Sequence, residues 1–158
     1  MHRFMSIRFI VAWVVAGMAL LIAPVANAQS ITFSVSPSSI SFADADPDTT
    51  PSITAANLTV SYLLTKSGGA NWRITVISGT NLTSGAASIP ISNVTWTATP
   101  VPPFQAGTMS TTVGQTVASG VGDVKSTLTG TVVFHLANSW SYNVGTYSAT
   151  FTFTMSCP

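Results

Sequence analysis

Three carboxylates within five residues, Asp44, Asp46 and Asp48, form the densest group of side chains in this chain that could do chemistry. Alternating carboxylates in a loop offer the hard oxygen ligands that Ca²⁺ prefers, which makes the cluster a weak calcium candidate. Counted from Asp44, position six is Thr49 and position twelve is Ala55, where an EF-hand loop needs Gly and Glu. The competing reading is a solvated turn whose Asp side chains cap backbone amides, and it is the one we adopt.

Other reactive groups are scarce. Beyond residue 28, His135 is the only histidine and Cys157 the only cysteine. A Cys–His nucleophile pair is conceivable on paper, but neither residue sits in a supporting motif. Serine hydrolysis would need His135 as its base, and no G-x-S-x-G elbow is present. Zinc needs more ligands than these residues can bring together. A glycosidase needs two opposed carboxylates, yet three of the four Asp residues share one turn and there is no Glu. We therefore expect no catalytic residues, no cofactor and no metal centre, with a small secreted hydrolase as the least favoured alternative. Cys157 cannot form an internal disulfide. It is either a small apolar residue at a strand end or the site of an intermolecular bridge.

The elements that must position these groups begin after a leader. Arg3 and Arg8 are the only Lys, Arg, Asp or Glu residues in the first forty-three positions, an apolar run spans 9–22, and Ala26-Asn27-Ala28 follows Pro24. That order of positive, apolar and small-x-small segments is a secretory signal peptide, cut between Ala28 and Gln29. The apolar run is shorter than the roughly 20 residues of a spanning helix. The expected organisation is therefore a cleaved leader over 1–28 and one domain over 29–158, secreted or at the cell surface, with no integral membrane span. In that domain Lys66, Arg73 and Lys125 stand against Asp44, Asp46, Asp48 and Asp123, so three basic and four acidic residues leave a net charge of −1. No basic patch exists to hold phosphates, which argues against nucleic acid. Ser, Thr and Asn carry the polar surface instead, a composition that suits close lateral packing or glycan contact.

Period-two alternation of β-branched and aromatic residues recurs from Ile31 to Cys157 and predicts an all-β fold. Ile31, Phe33 and Val35 alternate before Pro37, with Ile40 and Phe42 continuing beyond it, as an edge strand kinked by proline would. Leu58 to Leu64 and Trp72 to Val76 flank a hairpin-like turn at Ser67-Gly68-Gly69. Residues 79–88 read as a loop, Val94 to Ala98 as a strand, and Met109 to Val117 as one or two short strands. Leu128 to Leu136 is a strong strand with His135 on the face opposite Phe134. The clearest pattern is the last, with Tyr147, Ala149, Phe151, Phe153, Met155 and Cys157 on one face and Thr or Ser on the other. Seven to eight strands in this length predict a single immunoglobulin-like antiparallel β-sandwich. Trp72 and Trp96 fall on strands and read as core, whereas Trp140 and Tyr142 lie in a turn and are better placed for contact.

Two stretches resemble a known family. Trp72-Arg73-Ile74-Thr75-Val76 is followed by Asn81-Leu82-Thr83-Ser84-Gly85. The second stretch runs from Tyr142 through Gly145-Thr146-Tyr147 into the Thr-rich final strand. Together they resemble the WxL-type cell-wall-binding surface domains of Gram-positive bacteria. Ile74 stands where that family has Leu, and Phe153 where it often has Trp. The resemblance implies a non-catalytic surface or wall-associated domain that contacts cell-wall glycan, peptidoglycan or surface proteins. Trp72, Ile74, Trp140, Tyr142, Gly145 and Tyr147 are then its motif and candidate contact residues. The chain is also similar to chaperone–usher pilin subunits. Gly145 is the fourteenth residue from the end and an alternating strand follows it. That similarity implies self-association into a filament, with residues 30–36 donated as a strand to a neighbour. Cys157 is penultimate where those subunits favour Tyr, and their paired cysteines are missing.

Overall fold

The computed structural model describes residues 29–65 and 67–157. The expected leader, with Ala26 and Ala28 at its cleavage site, lies outside the described residues. The described chain is all-β, and its only helical turn is a 3₁₀ turn at Ile91–Asn93. Strands in chain order are β1 (Ser30–Ser36), β2 (Ser52–Thr54), β3 (Leu58–Thr65), β4 (Asn71–Ser78), β5 (Leu82–Ser84), β6 (Ala87–Ile89), β7 (Val94–Thr99), β8 (Gly107–Thr108), β9 (Gln115–Val121), β10 (Val124–Ala137) and β11 (Phe151–Ser156). β2, β5, β6 and β8 are fragments of two or three residues, which leaves seven longer strands among the described residues. The expected seven to eight strands correspond to these, since short pairings add no alternation to read.

The antiparallel sheets pack in a sandwich-like arrangement. One sheet has the order β1-β3-β10-β7-β8, with β2 also on β10, and the other has the order β11-β4-β9. β10 is the spine, because fourteen residues let it pair with β2 and β3 along one edge and β7 along the other. Alternation then turns one face of each strand inward. Leu58, Val60, Tyr62 and Leu64 of β3, with Val132, Phe134 and Leu136 of β10, meet Trp72, Ile74 and Val76 of β4, all of them buried. The Tyr62 and Trp72 rings sit 5.0 Å apart across the layers, and Phe134 and Phe151 sit 5.1 Å apart.

Four expectations are corrected. The turn at Ser67-Gly68-Gly69 makes no hairpin, because β3 and β4 belong to different sheets. Both strands carry a large apolar face, and crossing to the opposite layer lets the two faces meet each other. Ile40 and Phe42 do not continue β1; residues 37–45 form an irregular segment after Pro37. The last strand begins at Phe151 rather than Tyr147, and Ser148 makes only an isolated bridge to Thr83. The loop at 79–88 contains the small β5–β6 pair.

The two flanks of the sandwich differ. Beside β7, the segment from Pro100 to Thr108 stitches the layers together. Phe104 bridges to Ala118, Gln105 N–H donates to Val117 O at 2.8 Å, and Ser119 N–H donates to Pro103 O at 3.2 Å. The Trp96 indole N–H adds a bond to Gln105 O at 2.9 Å. Phe104 plugs this flank and is 1% exposed, its ring lying where a Cβ on Gly130 would stand. A glycine inside a strand marks such a close approach. On the other flank β1 and β11 are the edge strands of their sheets; they approach each other at only a few positions, and among the described residues no strand pairs across the rest of the space between them.

Candidate functional site

That open flank is a cleft of about 1260 Å³. One wall runs from Phe33 through Ile40 and Phe42 to Pro47, and the other from Asn143 to Phe153. Ile53, Leu58, Leu82, Ile89 and Leu136 form the apolar floor. Small-molecule pockets are typically about 300–1,000 Å³, so this space suits a chain segment better than a compact ligand.

Its walls explain its shape. β11 pairs with β4 alone, so alternate backbone N–H and C=O groups along its other edge have no ladder partner. β1 pairs with β3 alone. Neither strand contains a charged residue or proline, the usual devices that keep edge strands from pairing with other chains. The inward side chains Phe33, Val35, Phe151, Phe153 and Met155 remain only half-buried against the core. The wall between Pro37 and Ala43 makes no backbone hydrogen bond with the other described residues. Side chains on the rim are hydroxyls: Ser38, Ser39 and Ser41 on one side, Thr146, Ser148 and Thr150 on the other. Asp44 is the only charged residue lining the cleft among the described residues.

The residues singled out from sequence are scattered by the fold. The three Asp side chains do not converge on a cation. Asp46 Oδ1 accepts from Asp48 N–H at 2.9 Å, and Asp48 Oδ1 accepts from the Trp140 indole at 3.1 Å. Among the described residues no three His, Cys, Asp or Glu side chains gather as metal ligands. Asp46 instead caps its own turn. His135 lies on the outer face of its sheet between two hydroxyls, with Nδ1 3.1 Å from Thr54 Oγ1 and Nε2 3.3 Å from Thr97 Oγ1. Cys157 is a free thiol packed against the core edge after β11. The two cannot form a nucleophile–base pair, because one side chain faces away from the core and the other packs on it.

Of the motif residues, Trp72 and Ile74 are buried at 5% and 0% exposure; Trp72 is core, as its place on a strand predicts, and neither is a surface contact as the family resemblance implied. Tyr142 and Tyr147 are half-buried at the cleft, with the Tyr147 hydroxyl donating to Asn143 O at 2.9 Å. Gly145 is an exposed part of the same wall. Trp140 stands out from the rim, 69% exposed. Sequence reasoning missed the floor residues and the irregular wall at 37–45. Ile40 and Phe42 gave an alternating signal, but it pointed to a strand rather than to half a slot. No family model, no curated protein and no solved structure matches the chain.

Proposed function

We propose that this chain is a non-catalytic, extracytoplasmic structural subunit that associates with other copies by taking a β-strand into its open flank. The observation that carries the reading is the pair of edges, β1 and β11, unprotected by charge or proline and facing each other over an apolar floor. Strand addition supplies main-chain hydrogen bonds for affinity, while alternate side chains fill the floor. The occupant we assign is the segment Ser30–Ser36 of a second copy. Its Ile31, Phe33 and Val35 match an apolar floor, and its Thr32, Ser34 and Ser36 match hydroxyl rims. In the single chain this segment lies on β3 over all seven residues. Donation therefore means releasing from β3 an edge strand whose inward side chains are only half-buried or exposed, so that in an assembly the receiving slot lies between β3 and β11.

Two experiments test the reading. Sedimentation of the purified protein should show polymers, and an excess of a synthetic Gln29–Ser36 peptide should shorten them. Removing residues 29–36 should abolish polymers; polymers that persist without this segment sink its role as donor. A second reading, adhesion to cell-wall glycan, is favoured by the exposed indole of Trp140, since aromatic faces suit ligands with one apolar side. Sedimentation with purified peptidoglycan should then deplete the parent and not a Trp140→Ala variant. Equal recovery of both in the supernatant removes that reading.

A further inference from the structure

The cleft wall raises a question of its own, because its backbone does not hold it in place. From Pro37 to Ala43 no backbone group is hydrogen bonded to another of the described residues. The rest of the wall is tied by two side chains from the turn after β10. Asn138 Nδ2 donates to Ala45 O at 2.9 Å and to Thr50 O at 3.1 Å, while its backbone N–H donates to Pro51 O at 2.8 Å. Trp140 Nε1–H donates to Asp48 Oδ1 at 3.1 Å.

Both ends of these ties are stiff. On the wall side, Asp46 O accepts from the N–H groups of Thr49 and Thr50 at 3.2 and 2.8 Å, fixing the turn that carries Asp48. On the β10 side, Ser141 N–H donates to Ser139 Oγ at 3.1 Å, and Tyr142 N–H donates to Ser139 O at 3.2 Å. Trp140 is too exposed for its ring to contribute much core burial. What distinguishes it there from another large side chain is the ring N–H, aimed at a carboxylate. A bond to a charged acceptor is stronger than a neutral one.

Resting on the strand-uptake reading above, we propose that Asn138 and Trp140 form a latch that sets the outer wall of the cleft. They are positioning residues for the incoming strand. With the latch closed, the wall is already where a bound strand needs it, so less ordering is lost on binding. With it open, the wall must be ordered each time a strand arrives.

Fluorescence anisotropy of a labelled Gln29–Ser36 peptide with the purified protein tests this. Trp140→Phe keeps the ring and removes the donor. Asn138→Asp keeps the shape and removes the amide donor. Trp140→Phe loses one such bond and should raise the dissociation constant about tenfold; Asn138→Asp loses two and should raise it at least as much, while the urea midpoint stays near that of the parent. Asp48→Asn retains an acceptor oxygen and should bind within about threefold of the parent. Asp48→Ala should match Trp140→Phe, and the double variant should be no weaker than either alone. Parent-like binding by both donor-removing variants overturns the latch and leaves strand uptake standing. A fall in urea midpoint that tracks the loss of affinity overturns it too, by showing a general structural role. No peptide uptake by the parent overturns strand uptake and the latch together.

Discussion

The sealed flank and the open flank are built from the same materials and end differently. At the sealed flank, Phe104 enters between the layers, and backbone bonds from Pro103 and Gln105 to β9 leave no room for another segment. At the open flank, Phe151 and Phe153 present comparable aromatic surface to a space that none of the described residues fills. Stability is concentrated on the first side, because buried apolar area removed from water supplies most of it. The second side keeps apolar surface and unpaired backbone in reserve. Edge pairing is the behaviour that soluble sandwiches generally suppress, and the bare edge on each sheet is what the strand-uptake proposal rests on.

This contrast can be broken or sharpened by substitution. The largest effect is expected at Phe104→Ala, which removes the plug and should cost about 3–5 kcal/mol in denaturant unfolding. A loss below about 1 kcal/mol would mean the flank is not sealed by this side chain. Gly130→Ala puts a methyl group into the Phe104 ring and should cost about 1–3 kcal/mol. Phe153→Thr sharpens the opposite side. It keeps a strand former and gives up a half-buried ring, so unfolding should change by about 1 kcal/mol, while polymer formation measured by sedimentation drops sharply. If stability falls as far as it does for Phe104→Ala, the two flanks are equivalent and the contrast fails.

The smallest expected effect lies between the flanks, at Tyr62. Its hydroxyl is buried with no hydrogen-bond partner among the described residues, and burial pushes its pKa above the ordinary value of 10.0. The folded state therefore holds the proton more tightly than the unfolded chain does. Stability tied to that proton is fully present below about pH 10 and is lost as pH rises through the folded-state pKa. Tyr62→Phe should be neutral or gain up to about 1 kcal/mol at pH 7, since an unpaired buried hydroxyl has nothing to lose. It should also flatten the alkaline decline in melting temperature. A clear loss of stability at pH 7 would reveal a partner for the hydroxyl.

Much of the fold could be read from alternation. The inward faces of β3, β4, β7 and β10 follow from Val60, Tyr62, Ile74, Val76, Trp96 and Phe134 recurring every second residue, and His135 was placed correctly opposite Phe134. Alternation assigns faces, not partners. It could not tell that β3 and β4 separate into two layers, nor that the flank beside β11 stays open while the flank beside β7 closes. Those outcomes depend on pairings between residues far apart in the chain, such as Phe153 with Val76. The cleft was illegible for the same reason: its floor is drawn from five separate stretches, none distinctive alone. The Asp cluster shows the limit from the other side: local spacing already favours a capped turn, which Asp46 Oδ1 makes with Asp48 N–H, but it carries no sign of the tryptophan 92 positions away that takes up one of its carboxylates.

The scarcity of charge around the cleft also predicts how any assembly built through it responds to its medium. Salt weakens contacts made between exposed charges, whose reach shrinks from about 10 Å at 0.1 M to about 3 Å at 1 M. Here Asp44 is the only charge on the lining among the described residues. Joints made of backbone pairing and buried rings should hold nearly unchanged from dilute buffer to brine, and should yield first to agents such as urea that solvate peptide and apolar groups. Durability across shifting salinity would then be a property of the joint itself, written into the serines and threonines that occupy positions where most surfaces carry ions.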